Sequence, residues 1–174
     1  MEERALVTEN IIMDDINERL SGRAVNTLTS GQRSRLFKAL DGNFVIYPVQ
    51  PNVYNVVSVK ENQENSKYTV SVFDRPQCEC LDYVLRCVEE DRWCKHILRV
   101  WAEIRVGELP LLGVNPSDWL RARLEDELLR VLGRDEEAAV ALREAYHALD
   151  DDLPDAESYR RATLTWRRYR ENPP

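Results

Sequence analysis

The sequence predicts a mixed α+β fold, and three observations carry that prediction. Residues 43–73 are rich in Val, Ile and Tyr in alternation with polar positions, the pattern of half-buried strands. Ile97, Val100, Trp101 and Ile104 recur at i, i+3, i+4 and i+7, which draws one apolar stripe along a helix. Between residues 117 and 170 the helical period returns in three further segments. The expected architecture is a small antiparallel sheet followed by a helix, flanked by N-terminal helices and a C-terminal helical subdomain. The corresponding segments are 1–42, 43–107 and 108–174.

A chain of 174 residues fits one core with an appendage. Its 43% hydrophobic and 32% charged residues lie near globular norms, with no Pro/Gly-rich or repetitive stretch, so wholesale disorder is not expected. Apolar runs are short and broken by charge. The N-terminal MEERALVTENIIMDDINERL carries acids where a secretory signal would carry a basic and then an apolar block. The chain is therefore expected to be soluble and intracellular, in cytoplasm, nucleoid or nucleus, with no membrane partner. A net charge of −7 argues against indiscriminate coating of nucleic acid, because that binding grows with Lys and Arg contacts to phosphate.

In chain order, Ile12, Ile16 and Leu20 predict a helix over 8–21 that Ser21-Gly22 closes. Ser30 as N-cap, with Leu36, Phe37 and Leu40 on one side, predicts a second helix over 31–40, stopped by Asp41-Gly42. NFVIYPV, VYNVVSV and KYTVSVF read as three strands, the last two separated by the polar turn ENQENS. Pro48 and Pro51 cannot donate ladder hydrogen bonds, so they belong at a sheet edge or in the first connection. The helix of the 97–104 stripe ends near Gly107, and ELPLLGVNP (108–116) reads as a linker. Helices over 117–132, 135–149 and 156–170 follow. Trp119, Leu120, Leu124, Leu128, Ala138, Ala141, Leu142 and Ala145 offer more apolar surface than a small sheet needs, for a core or for a partner.

The chain has four cysteines and two histidines, and five of these six residues fall in CECLDYVLRCVEEDRWCKH, residues 78–96. In a reducing compartment clustered cysteines serve as thiolate ligands more often than as disulfides. Cys78 and Cys80 stand at i, i+2, and in an extended segment both sulfurs point to one face. Cys94 and His96 share that spacing, but i and i+2 on a helix lie about 200° apart. Cys94 must therefore precede the helix and His96 must open it. Three thiolates and one imidazole form the closed tetrahedral set preferred by structural zinc. One structural Zn²⁺ held by Cys78, Cys80, Cys94 and His96 is the expected cofactor. Cys87, in LDYVLRCVEED, reads as a core residue on a short helix with Leu81, Val84, Leu85 and Val88. His147 is a lone helical histidine with no assigned role.

CxC, a variable stretch and CxH, placed after a strand pair and before a helix, resemble the SWIM-type zinc finger. The resemblance spans roughly 43–105. It includes Tyr68 and Val70 in the preceding strand, the acidic-aromatic step Asp82-Tyr83 and the closing block Cys94-Lys95-His96-Ile97-Leu98. Where the family carries proline after its second cysteine, this chain has Leu81. The resemblance implies a ββα zinc module that binds DNA or another protein and does not catalyse.

Two surfaces are candidates for that binding. Arg92, Lys95 and Arg99 would line the zinc knuckle as a phosphate-facing patch, although Arg99 also stands i, i+4 from Glu103. In the tail SYRRATLTWRRYRENPP, Arg160, Arg161, Arg167, Arg168 and Arg170 accompany Tyr159, Trp166 and Tyr169, a mixture suited to phosphate pairing and base stacking. The alternative is that this amphipathic helix folds into a bundle. The expected function is a non-enzymatic zinc module associated with DNA. The other reading is a protein adaptor, for example a partner of a RecA-type recombinase paralogue, which the acidic charge fits more easily. No paired carboxylates, nucleophile–base set, phosphate loop or open metal position is present in the sequence, and no small-molecule substrate is expected.

Overall fold

A computed structural model describes residues 30–59, 65–73, 75–88, 92–150 and 154–171. The helix expected over 8–21 lies outside them. The chain divides into two compact units, Met1–Ile46 with Val53–Leu111, and Tyr47–Asn52 with Leu112–Pro174.

Among the described residues the first unit holds helix α1 (Ser30–Leu40), the first three residues of strand β1 (Phe44–Gln50), strands β2 (Val53–Ser58) and β3 (Ser66–Ser71) and the short β4 (Gln77–Cys78). The strands form one sheet in the order β1-β2-β3-β4, so β1 is an edge and tolerates Pro48. Pro51 and Asn52 connect β1 to β2, and Asn52 takes a positive φ of 64°, a conformation asparagine tolerates in turns. The β2–β3 pairing is antiparallel, with Tyr54 opposite Val70 and Val56 opposite Tyr68. The β3–β4 pairing sets Val70 opposite Cys78, which carries the cysteine segment onto the sheet. A fourth strand, too short for a periodic signal, was not among the three expected.

Helix α2 (Lys95–Arg105) buries the expected stripe. Ile97, Val100, Trp101 and Ile104 pack with Tyr54, Val56, Val70 and Val72 in one core. Each such side chain contributes about 1.5–3 kcal/mol on burial, against about 1 kcal/mol for a hydrogen bond, so apolar contact dominates here. Gly107 ends the helix with φ 77°. The stretch expected as a linker begins inside this unit: Leu109 is buried, and Tyr54 Oη donates to the Pro110 carbonyl at 3.1 Å. Burial pushes the Tyr54 phenol up to about 12.

In the second unit α3 (Pro116–Val131), α4 (Glu136–His147) and α5 (Ala156–Glu171) pack together as a bundle. Asn115 caps α3 through Ser117 N–H at 2.8 Å, and Asp135 caps α4 through Ala138 N–H at 2.9 Å. Leu120, Leu124, Leu142, Ala145, Tyr159 and Trp166 are buried, so this apolar supply forms a core. Ser117 Oγ and Tyr159 Oη lie 2.9 Å apart within it.

Between α1 and β1 the chain needs Gly42. A Cβ there would run into the Phe44 ring and lie 2.7 Å from the Lys38 carbonyl oxygen. Gly42→Ala is therefore expected to cost about 1–3 kcal/mol through overpacking. The measurement is the thermal midpoint of the metal-loaded chain; an unchanged midpoint would contradict this packing.

Candidate metal centre

Each ligand is delivered by a distinct local device. Cys78 is fixed by the β4 ladder, and Glu79 N–H continues it with a 3.3 Å bond to the Thr69 carbonyl. Thr69 N–H in turn donates to Glu79 Oε2 at 3.0 Å. After Cys80 the chain turns sharply, with Tyr83 and Val84 N–H both reaching the Cys80 carbonyl at 3.0 Å. Two backbone N–H groups face sulfur: Cys80 N–H to Cys78 Sγ at 3.5 Å and Tyr83 N–H to Cys80 Sγ at 3.4 Å. Tyr83 Oη donates to the Pro76 carbonyl at 2.8 Å and locks the loop. Cys94 is the N-cap of α2, with φ −77° and ψ 167°, and its side chain makes no capping bond. Its sulfur is thereby left to the cluster, and His96 lies in the first turn, as the spacing argument required.

The four ligand atoms of Cys78, Cys80, Cys94 and His96 all lie within 4.8 Å of one another, and all four residues are buried. His96 Nδ1 is 3.7 Å from Cys78 Sγ and 4.0 Å from Cys94 Sγ. A tetrahedron with sulfurs at 2.3 Å and nitrogen near 2.05 Å has edges of about 3.6 Å (S to N) and about 3.8 Å (S to S), so this spacing suits a single ion. The His96 ring is clamped by Tyr68, stacked at 4.5 Å, and by the edge of Phe44 at 5.6 Å. Its Nε2 is buried without a hydrogen-bond partner among the described residues. The ring is thus held by packing, with Nδ1 turned to the sulfurs. The set can hold one metal ion.

The thiols depend on one another. Cys80 is held far below the ordinary thiol range, first by a hydrogen bond from Cys78 and then by one from Cys94. Cys78 is pushed up to about 12, chiefly by its bond with Cys80, and Cys94 is pushed up by its bonds to Cys78 and Cys80 and by burial. The three sulfurs are thus linked by hydrogen bonds within one buried cluster. Full ionisation would crowd three negative sulfurs in a buried site, which requires a positive ion.

Cys87 is fully buried in the core, its Sγ 4.0 Å from Asp82 Oδ2, and is not one of the cluster. The helical segment around it is a π-helical turn, Tyr83–Cys87, closed by Val88 N–H to the Tyr83 carbonyl at 3.1 Å. This wider turn aims Tyr83 and Cys87 inward. Cys87 is in the core as expected, while Leu81, Val84, Leu85 and Val88 around it are 41–73% exposed.

The charged candidates fare differently. Arg99 is taken up internally: Nη1 donates to the Ala39 and Leu40 carbonyls at 3.1 and 3.0 Å, capping α1, and Nε pairs with Glu103 at 3.0 Å. Lys95 Nζ lies 5.5 Å over the Phe44 ring, and Arg92 is half-buried beside Trp93. Trp166 is a core residue, 3% exposed and edge-on to Trp119 at 5.2 Å, so the tail offers no base-stacking platform there. Arg170 lies 4.6 Å over the Trp166 ring and pairs with Glu171, and Arg160 pairs with Glu157. Arg167 is half-buried, while Arg161 and Arg168 face solvent. Sequence reasoning singled out Asp82 but missed its tie to Arg35, whose Nε donates to the Asp82 carboxylate at 3.2 Å and joins α1 to the cysteine loop; no local pattern joins positions that far apart.

The fold and the site define a small α+β module with a cluster able to hold a metal ion, followed along the chain by a helical bundle. Comparison with protein-family models, curated proteins and solved structures finds no match. Among the described residues no helix is long and apolar enough to cross a membrane.

Because the Cys78 and Cys94 thiols are pushed up, loading one ion should release protons from the cluster. Protons compete with the metal, so affinity should rise with pH and fall in acid. Calorimetry in buffers of different ionisation enthalpy checks this; metal uptake with no proton release would contradict it. Cys94→Ser should lose the ion and Cys87→Ala should keep it, as read by metal content per chain.

Proposed function

We infer that the chain is a non-enzymatic zinc-binding module of the SWIM type, with DNA as its ligand. The observation that carries the metal part is the buried convergence of Cys78, Cys80, Cys94 and His96. Three sulfurs and one imidazole are soft and borderline donors that favour zinc over magnesium or calcium. Four protein ligands complete a tetrahedron, so the ion has no position for substrate and acts as a staple.

The DNA part is supported by the resemblance of the ligand pattern and by Lys95. This residue stands between the last two ligands, half-exposed, and meets no carboxylate among the described residues. A phosphate can approach an ammonium group there beside the positive end of α2. Arg161 and Arg168 add exposed positive charge on α5.

One observation favours a protein partner as the second reading. The exposed stripe of Leu81, Val84, Leu85 and Val88 borders the ligand Cys80 and is apolar, a surface suited to another chain more than to phosphate. A RecA-type recombinase paralogue is the class of partner that the family resemblance implies.

Titrating the zinc-loaded chain with single- and double-stranded DNA at several salt concentrations separates the two. The DNA reading expects binding whose logarithm falls linearly with log salt. No binding at low salt would contradict it, and a partner captured by wild type but not by Leu85→Asp would then support the adaptor.

A further inference from the structure

A groove opens between the last turn of α1 and the start of β1, with a volume of about 890 Å³. Phe37, Lys38, Asp41, Asn43, Phe44 and Lys95 are among the residues that line it, and all belong to the first unit. Its floor rests on the metal centre, because the Phe44 ring that forms it packs edge-on against His96 at 5.6 Å. Gly42 permits that arrangement by leaving room for the Phe44 ring.

The wall carries an aromatic ring that the core does not use. Phe37 is 54% exposed, although the adjoining Ala39 is fully buried. Asp41 N–H bonds the Phe37 carbonyl at 2.8 Å, so the ring is displayed from an ordered turn. Lys38 and Lys95 line the same groove, and neither pairs with a carboxylate among the described residues. An apolar ligand would leave two ammonium groups unused, and an inorganic anion would leave Phe37 unused. A nucleotide uses both, with its base on the ring and its phosphate facing the lysines. Asn43 and Asp41 offer amide and carboxylate atoms to a base edge or a sugar hydroxyl. In a duplex the base faces are buried in the stack, so only an unpaired nucleotide can present one to Phe37.

We propose that this groove binds a single-stranded nucleotide unit, with the base stacked on Phe37 and the phosphates facing Lys38 and Lys95. The proposal rests on the nucleic-acid reading above and gives it a site outside the zinc ligands. The unit has two sources, a free nucleotide or a residue of a single strand.

The test uses the zinc-loaded full chain, a labelled oligonucleotide of about 12 nucleotides, within the range of single-strand sites, its duplex, and adenosine monophosphate. Phe37→Ala, Lys38→Gln and Lys95→Gln are compared with wild type after zinc content and thermal midpoint have been matched. The single strand should bind more tightly than the duplex. Phe37→Ala should weaken it about tenfold, and each lysine change should reduce the salt slope by about 0.7. If wild type binds DNA and all three variants bind equally well, the groove assignment is overturned while the nucleic-acid reading stands. If no DNA binds, that reading falls. Adenosine monophosphate then decides the groove: binding lost in Phe37→Ala supports a free nucleotide, and no binding overturns the proposal.

Discussion

Three buried sulfurs and one imidazole face a common centre, and the first unit depends on what neutralises them. Hydrogen bonds among the sulfurs push the Cys78 and Cys94 thiols up and pull Cys80 down. A cation held there would favour the thiolate form of all three. The cluster joins β4 to the first turn of α2, two elements that are separated by the whole cysteine loop. A sheet of four strands, one of them two residues long, has little edge pairing to hold that loop. An ion held by the cluster would fasten that loop where the strand pairing is short.

Around this centre the other contacts fall into place. Tyr68 from β3 and Phe44 from β1 clamp the His96 ring, so two strands fix the one ligand that is not sulfur. Arg35 reaches from α1 to Asp82 in the cysteine loop, while Arg99 reaches from α2 to the end of α1. The helix that precedes the sheet is thereby tied to both arms of the cluster. These polar ties bury charge only where each group has a partner, which is what a small core tolerates.

The ligands were legible because metal chemistry restricts both residue type and spacing. The i, i+2 argument even located the helix boundary at Cys94, since a regular helix could not aim both side chains inward. Strands β1 to β3 were legible from alternation, and the C-terminal helices from their period. What escaped the sequence was direction. The apolar positions around Cys87 follow a helical period, but a π-helical turn turns Tyr83 and Cys87 inside and leaves Leu81 and Leu85 outside. Trp166 reads as an exposed partner of arginines until the bundle takes its large apolar surface. Arg99 reads as a surface charge until α1 presents its uncapped carbonyls. Each case is settled by tertiary neighbours far away in sequence.

The central claim is a closed site of three sulfurs and one nitrogen around a single zinc ion. X-ray absorption at the zinc edge of the loaded chain tests it most directly. The account predicts three sulfurs at about 2.3 Å and one nitrogen at about 2.0–2.1 Å. A shell of four sulfurs, which would bring in Cys87, or a shell containing a bound water oxygen would contradict it.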